Sequence, residues 1–227
     1  MLAQIDYQKG LYAESLRAYQ HATAMKTSPM LCSGLSYCLL DMALQSKPDH
    51  LAQEIERLRL AAGIPPVEAS WVDFFHAGRN YQTSNAPDFY RAAACYRAAI
   101  HFLQQPEEKG LCHLETQPNS DPRRVILRWG PGVNDADWQW SEYYDRRYYS
   151  AAFYLAQCLV KLDQKEEAAR WLRQIALKLG ADSSLPLLNT DGWFGSGWTS
   201  GPGLGIRAAE MLQQLHLAAE VTNVPQR

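Results

Sequence analysis

Several features that mark membrane or secreted proteins are missing from this chain of 227 residues. No run of apolar residues approaches the roughly 20 needed to span a bilayer. The first ten residues, MLAQIDYQKG, contain no charged region followed by an apolar one, so we recognise no secretion signal and expect a cytoplasmic location. The five cysteines form no CxxC pair and lie mostly among apolar residues, as expected of buried, reduced thiols.

The net charge and the placement of the histidines argue against a nucleic-acid-binding protein and against a metalloprotein. The formal net charge is -2, without the basic excess that neutralises nucleic-acid phosphates, so binding to nucleic acid is disfavoured. The six histidines are scattered and form no HExxH or HxxxH motif, so we predict neither a metal site nor a cofactor. A GxSxG nucleophile elbow and a GxxxxGKS/T phosphate loop are missing as well.

Alternating strand patterns are also nearly absent, whereas helical periodicity runs through most of the chain. Ala, Leu, Gln, Glu and Arg are abundant, and apolar residues return every three or four positions. Residues 29–44 and 49–63 are predicted to form one pair of helices. The exception is RRVILRW (Arg123–Trp129), flanked by proline and glycine, which is predicted as a short strand or extended segment.

Three helical stretches repeat one spacing, in which a small residue is followed by a large residue and then by a small or apolar one. The trios are Ser15, Tyr19, Ala22; Ala92, Tyr96, Ala99; and Ala168, Leu172, Ile175. Small residues let a neighbouring helix approach closely, and large residues fill the space beside them. We therefore interpret these faces as helix–helix contacts.

The pattern resembles the second helix of the tetratricopeptide repeat. The best match is residues 155–177, where Leu155, Ala156 and Leu159 fit the first helix of the motif. Small-residue anchors at 15, 52, 92, 168 and 209 are 37, 40, 76 and 41 residues apart, whereas the repeat is about 34 residues long. The third unit is assigned a long turn, NYQTSNAPD (80–88). The expected fold is all-α, one domain of stacked antiparallel helical hairpins over 1–227, as a tetratricopeptide-like α-solenoid or an irregular bundle.

Two segments break the helical pattern. The first, 106–149, is interpreted as an insertion rich in the residues found at binding hot spots. Its candidate partner-binding residues are Trp129, Trp138, Trp140, Tyr143, Tyr144, Arg146 and Arg147; alternatively, its aromatic side chains fill gaps against the helices. The second, 189–205, is a Gly/Trp-rich loop before the last helix, and either connects helices or binds a ligand through its backbone N–H groups.

The resemblance implies a scaffold or adaptor within a multi-component assembly, and we expect it to bind a protein or peptide partner without catalysis. Two alternatives stay open. Asp135, Asp137 and Glu142 lie beside tryptophans, as the paired acids of a glycan-active hydrolase would. A helical-repeat RNA binder is the third hypothesis, and the net charge favours it least.

Overall fold

The computed structural model describes residues 2–25, 29–64, 71–103, 113–115, 124–128, 136–179, 187 and 202–222. Most of these residues are helical, as predicted from the periodicity. The helices are α1 Leu2–Gln8, α2 Tyr12–Met25, α3 Pro29–Ser46, α4 Leu51–Ala61, α5 Trp71–Thr83, α6 Phe89–Leu103, α7 Trp140–Lys161, α8 Lys165–Leu179 and α9 Leu204–Thr222. A short 3-10 turn, Pro48–His50, precedes α4. The expectation of an all-α body is confirmed.

Most helices pack mainly on the helices before and after them in the chain. Thus α2 lies against α1 and α3, α6 lies against α5 and α7, and α8 lies against α7 and α9. Further contacts join α3 to α5, α4 to α6, and α7 to α9. Because short turns join α1 to α2, α5 to α6 and α7 to α8, these pairs are helical hairpins. This stacking is consistent with an all-α bundle or solenoid.

Three helices end in a residue of left-handed backbone conformation. Gly10 and Gly63 have φ values of 76° and 67°, and Asp163 has a φ of 59°. The amide of the next residue bonds the carbonyl five positions back, over 2.9 Å after α1, 3.0 Å after α4 and 2.8 Å after α7. This is the Schellman arrangement, which satisfies carbonyls at a helix end and reverses the chain. The turns between hairpin helices are therefore set by local backbone geometry.

The centre of the core is α6, which is buried on most of its surface. Its alanines at 92, 93, 98 and 99 are fully buried, because α4, α5 and α7 all pack on this one helix. On one side, the rings of Phe75, Tyr96 and Tyr154 lie with their centroids 5.7 to 5.8 Å apart. Methyl groups on α6 thus admit three neighbouring helices, and the aromatic rings fill the space that remains.

A glycine on one helix also faces a tyrosine ring on a neighbour at two places. A methyl group added at Gly34 would lie 2.5 Å from the Tyr19 ring, and one added at Gly78 would lie 2.9 Å from the Tyr96 ring. Seven of the nine predicted helix-contact positions are buried, and Tyr19 and Ala22 are half-buried. The anchor predicted at position 209 is wrong: Ala209 is exposed, and its neighbour Ala208 is buried.

The predicted insertion contains a small antiparallel sheet, with β1 at His113–Glu115, β2 at Arg124–Arg128 and β3 at Ala136–Gln139. The middle strand confirms the strand predicted around 123–129. The register pairs Val125 with Trp138 and Leu114 with Leu127. Because α7 begins at Trp140, residues 140–149 of the predicted insertion are helical and belong to α7. The predicted turn at 80–88 is too long, because α5 continues to Thr83.

Candidate functional site

A groove opens between the end of α5, the start of α6 and the facing sides of α7 and α9. It encloses about 540 Å³. Four of its lining side chains are apolar: Phe89, Phe153, Val160 and Met211. The polar ones are Gln82, Gln157, Lys161, Arg207, Glu210 and Gln214. We call this the α5–α9 groove. A lining of apolar surface with a few placed polar groups is typical of binding sites in proteins.

Two glutamine amides in the groove are held in fixed orientations. The Tyr96 hydroxyl donates to Gln82 Oε1 over 2.7 Å, and Arg79 Nη1 donates to the same oxygen over 3.2 Å. Burial raises the pKa of Tyr96, so its phenol stays protonated and remains a donor. Gln82 Nε2 in turn donates to Gln157 Oε1 over 3.1 Å. The chain of bonds therefore links α6, α5 and α7.

This network leaves one donor facing outward. Gln157 uses its carbonyl oxygen to accept from Gln82, and its amide nitrogen has no hydrogen-bond partner among the described residues. This nitrogen is not among the buried atoms that lack a partner. It is therefore accessible to solvent. An oriented amide N–H beside apolar side chains can donate to a carbonyl oxygen of a bound ligand without first losing side-chain freedom.

A positive charge lies beside the glutamine pair. The Arg79 guanidinium lies 4.2 Å from the centroid of the Tyr154 ring, a distance typical of a cation–π contact. Its Nε is buried and has no acceptor among the described residues. Lys161 and Arg207 add two further cations to the groove against the single carboxylate of Glu210. The described lining therefore carries one more positive than negative charge.

Of the predicted partner-binding residues, Arg147 alone has a described side chain, and it is not among the lining residues of this groove. Trp129 lies outside the described residues; Trp138 is in β3, and Trp140, Tyr143, Tyr144 and Arg146 are in the first turns of α7, with side chains outside the described part. Arg147 is described, and its side chain is only 8% exposed. Arg147 is therefore buried in this structure, and its role in binding a partner stays a prediction. Its neighbours Tyr148 and Tyr149 are buried as well.

The residues of the hydrolase hypothesis are only partly described. Asp135 lies outside the described residues, and Asp137 and Glu142 are described in their backbones, in β3 and α7. Of the Gly/Trp-rich loop, the described residues are Pro202 and Gly203 and the first two residues of α9. Among the described residues, no group of three or more His, Cys, Asp or Glu side chains is arranged to hold a metal ion.

Three cysteines, Cys38, Cys95 and Cys158, are buried free thiols. Burial raises the pKa of Cys38 to about 11 and that of Cys158 to about 12, which keeps both protonated and poorly nucleophilic. The prediction that the cysteines are buried is confirmed for these three. Cys32 is described in its backbone only, and Cys112 lies outside the described residues.

Reasoning from the sequence missed Gln82 and Gln157 because glutamine is an ordinary residue on a helix. Gln82 was assigned to a turn, and the two residues are 75 positions apart. Tyr96 is the residue of the sequence that could have indicated this network. A buried tyrosine hydroxyl needs a hydrogen-bond partner, and polar residues of a neighbouring helix are the candidates.

No protein-family model, curated protein or solved structure matches the chain. Within the part of the chain that the structure describes, no helix combines the length and the apolar character needed to cross a bilayer.

Proposed function

We propose that this protein is a non-catalytic scaffold or adaptor subunit that binds an extended segment of a partner polypeptide in the α5–α9 groove. The observation that carries the proposal is the bonded pair Gln82–Gln157, which presents an unused amide N–H beside apolar side chains. A polypeptide offers the matching groups, because it has a carbonyl acceptor at every residue and apolar side chains between them.

The resemblance to tetratricopeptide repeats supports this proposal. Proteins of that class display binding surfaces along stacked helical hairpins. The hairpins of this chain pack through small residues such as Ala92, Ala99 and Ala168, all of them fully buried. The aromatic insertion before α7 is proposed as a second contact for the same partner, since Trp and Tyr are enriched at binding hot spots. We infer that the chain works as one component of a larger assembly.

The test uses Gln157→Glu. A glutamate keeps the oxygen that accepts from Gln82, and it replaces the free amide N–H by a carboxylate oxygen that repels a partner carbonyl. The tagged protein is purified from its native cells and bound proteins are identified by mass spectrometry. We expect the partner recovered with the wild type to bind the variant at least about tenfold more weakly, as for loss of a buried hydrogen bond with an added unpaired charge.

The matched control is Gln4→Glu, which makes the same change at an exposed position of α1. Cross-linking through lysines then locates the partner: Lys161 lines the groove, whereas the exposed Lys178 lies on α8. Cross-links from Lys161 support the groove. A partner that binds Gln157→Glu as well as the wild type and cross-links only to other lysines contradicts it. Trp138→Ala/Trp140→Ala tests the contribution of the insertion separately.

We also infer a cytoplasmic location. The support is that Cys38, Cys95 and Cys158 are all free thiols, since proteins of oxidising compartments usually pair their cysteines. Fractionation of the native cells tests this inference, and recovery of the protein in a secreted or periplasmic fraction would overturn it.

A further inference from the structure

A second polar site lies around Asp41 on α3. The Tyr7 hydroxyl of α1 donates to Asp41 Oδ2. The ring of Tyr7 lies 5.3 Å from the ring of Tyr12, at the start of α2. Tyr37 precedes Asp41 by one helical turn, so both occupy one face of α3. Asp41 and these three tyrosines are all half-buried.

Tyr81 of α5 belongs to the same group. Burial and, after it, the charge of Asp41 raise the pKa of Tyr81 to about 12. Burial and then Asp41 also raise the pKa of Tyr12. Asp41 thus acts electrostatically on Tyr12 and Tyr81, while Tyr12 lies against the ring of Tyr7 and Tyr81 lies beside Arg91. We call Asp41 with Tyr7, Tyr12, Tyr37 and Tyr81 the Asp41 cluster.

The Asp41 carboxylate has little compensation for its burial. Among the described residues, Tyr7 is the one side chain that donates to it, and no lysine, arginine or histidine forms an ion pair with it. Burial is the largest influence on its pKa and raises it, although the Tyr7 bond and the more distant Arg91 act in the other direction. A half-buried carboxylate with an unused oxygen is stabilised by a cation that can reach it.

The cluster already accommodates one guanidinium at its edge. Arg91 lies 5.9 Å from the centroid of the Tyr81 ring and pairs with Asp88 over 3.6 Å. Arg91 is thus paired with Asp88 and acts on Asp41 only from a distance, so it does not neutralise both carboxylates. Tyrosine faces attract cations through their ring quadrupoles, most strongly where water is partly excluded.

We propose that the Asp41 cluster binds the guanidinium of an arginine side chain from the partner polypeptide. A guanidinium is planar and presents a fork of donors to a carboxylate, and its faces stack on aromatic rings, so it uses both components of the cluster. Tyr81 is adjacent in sequence to Gln82 of the α5–α9 groove. The inference rests on the proposed function only in taking the source of the arginine to be a polypeptide.

The direct test titrates the full chain with N-acetyl-argininamide, an arginine without charged termini, and follows tyrosine ring signals by NMR. Its citrulline analogue, which has a neutral urea in place of the guanidinium, is the matched ligand control. We expect saturable binding of the arginine probe that weakens with added salt, and no saturable binding of the citrulline probe. Arginine that binds no better than citrulline overturns the proposal.

Asp41→Asn keeps an oxygen that accepts from Tyr7 and removes the charge. We expect it to weaken binding of the arginine probe at least about tenfold, as for loss of a charged hydrogen bond. Glu14→Gln, which removes an exposed carboxylate on α2, should leave binding unchanged. Tyr81→Leu removes a stacking face without touching the carboxylate, and it should weaken binding even if Asp41→Asn fails to fold. Unchanged affinity in a folded Asp41→Asn or in Tyr81→Leu refutes the assignment.

The two proposals are separable by experiment. Gln157→Glu should reduce binding of the partner segment and leave binding of the arginine probe intact, because Gln157 is not part of the Asp41 cluster. If the groove variant retains its partner while the arginine probe still binds, the groove assignment fails and the cluster assignment stands.

Discussion

The substitution Asp73→Asn is expected to stabilise the protein at neutral pH and to have no such effect in acid. Asp73 lies in the first turn of α5 and is only 6% exposed. Its Oδ1 accepts a hydrogen bond from Ser33 Oγ over 2.6 Å, and its Oδ2 has no donor among the described residues. A buried carboxylate with one unpaired oxygen is costly when it is charged.

The magnitude follows from the pKa. Burial raises the pKa of Asp73 from 3.8 to about 6, against the hydrogen bonds from Ser33 and Ser36 that lower it. The folded protein therefore binds this proton more tightly than the unfolded chain does. The resulting stability is fully present below about pH 4 and is lost as the pH rises through 6. At about 1.4 kcal/mol per pKa unit, ionisation of Asp73 costs about 3 kcal/mol of unfolding free energy at neutral pH.

Asparagine has the same shape, stays neutral and keeps an oxygen for Ser33. Urea denaturation followed by circular dichroism at intervals from pH 4 to pH 8 measures the difference between variant and wild type. We expect a gain of about 1–3 kcal/mol at pH 7.5, reduced from the full value because the amide N–H of asparagine is unpaired in the same place. The gain should shrink to nothing or reverse near pH 4.

The decisive observation is how the stability difference between Asp73→Asn and the wild type changes with pH, because other acids titrate as well. Glu54, for example, is hydrogen-bonded to Arg57, which lowers its pKa to about 2 and gives stability that is lost in strong acid in both proteins. Glu14→Gln serves as a charge control on the surface. A variant that is less stable than the wild type at pH 7.5, or whose advantage is the same at pH 4 and pH 7.5, refutes the reasoning.

Two further substitutions test the packing and the turns. Gly78→Ala brings a methyl group to 2.9 Å from the ring of Tyr96, which is fully buried. Overpacking should outweigh the better helix propensity of alanine and lower the free energy of unfolding by about 1–2 kcal/mol, as measured by urea denaturation. Unchanged or increased stability would show that the ring moves freely. A methyl group added by Gly63→Ala meets no atom within 4 Å, so the backbone φ of 67° is the reason for the expected loss of about 1 kcal/mol of unfolding free energy. A thermal midpoint equal to that of the wild type would contradict this prediction.

Much of the helical body could be predicted from local pattern. The spacing of apolar and small residues predicted the helical pair at 29–44 and 49–63, the buried faces of α6 and α8, and a strand near 123–129. These features depend on neighbours within a turn or two, where side-chain periodicity and backbone propensity act. The turn after α5 was predicted too early because its polar residues, which favour a loop locally, are stabilised as helix by contacts with α6.

The candidate sites could not be predicted in the same way. The Gln82–Gln157 bond spans 75 residues and the Tyr7–Asp41 bond spans 34, and both join residues that are ordinary in composition. The aromatic insertion drew attention because its composition is unusual, whereas the groove consists of common helical residues brought together by packing. Composition indicates a candidate binding surface only when that surface consists of uncommon residue types.

What the sequence determined by itself is the class of structure: helices with small-residue faces, reversed by residues suited to left-handed turns. Only the tertiary structure decided which of two adjacent alanines is buried, so that Ala208 lies inside and Ala209 outside. It likewise decided that Arg147 is buried and that the Tyr7 hydroxyl of α1 bonds to Asp41 of α3. The physical reason is that periodicity specifies a face of each helix, whereas the rotation and separation of packed helices specify which side chains meet.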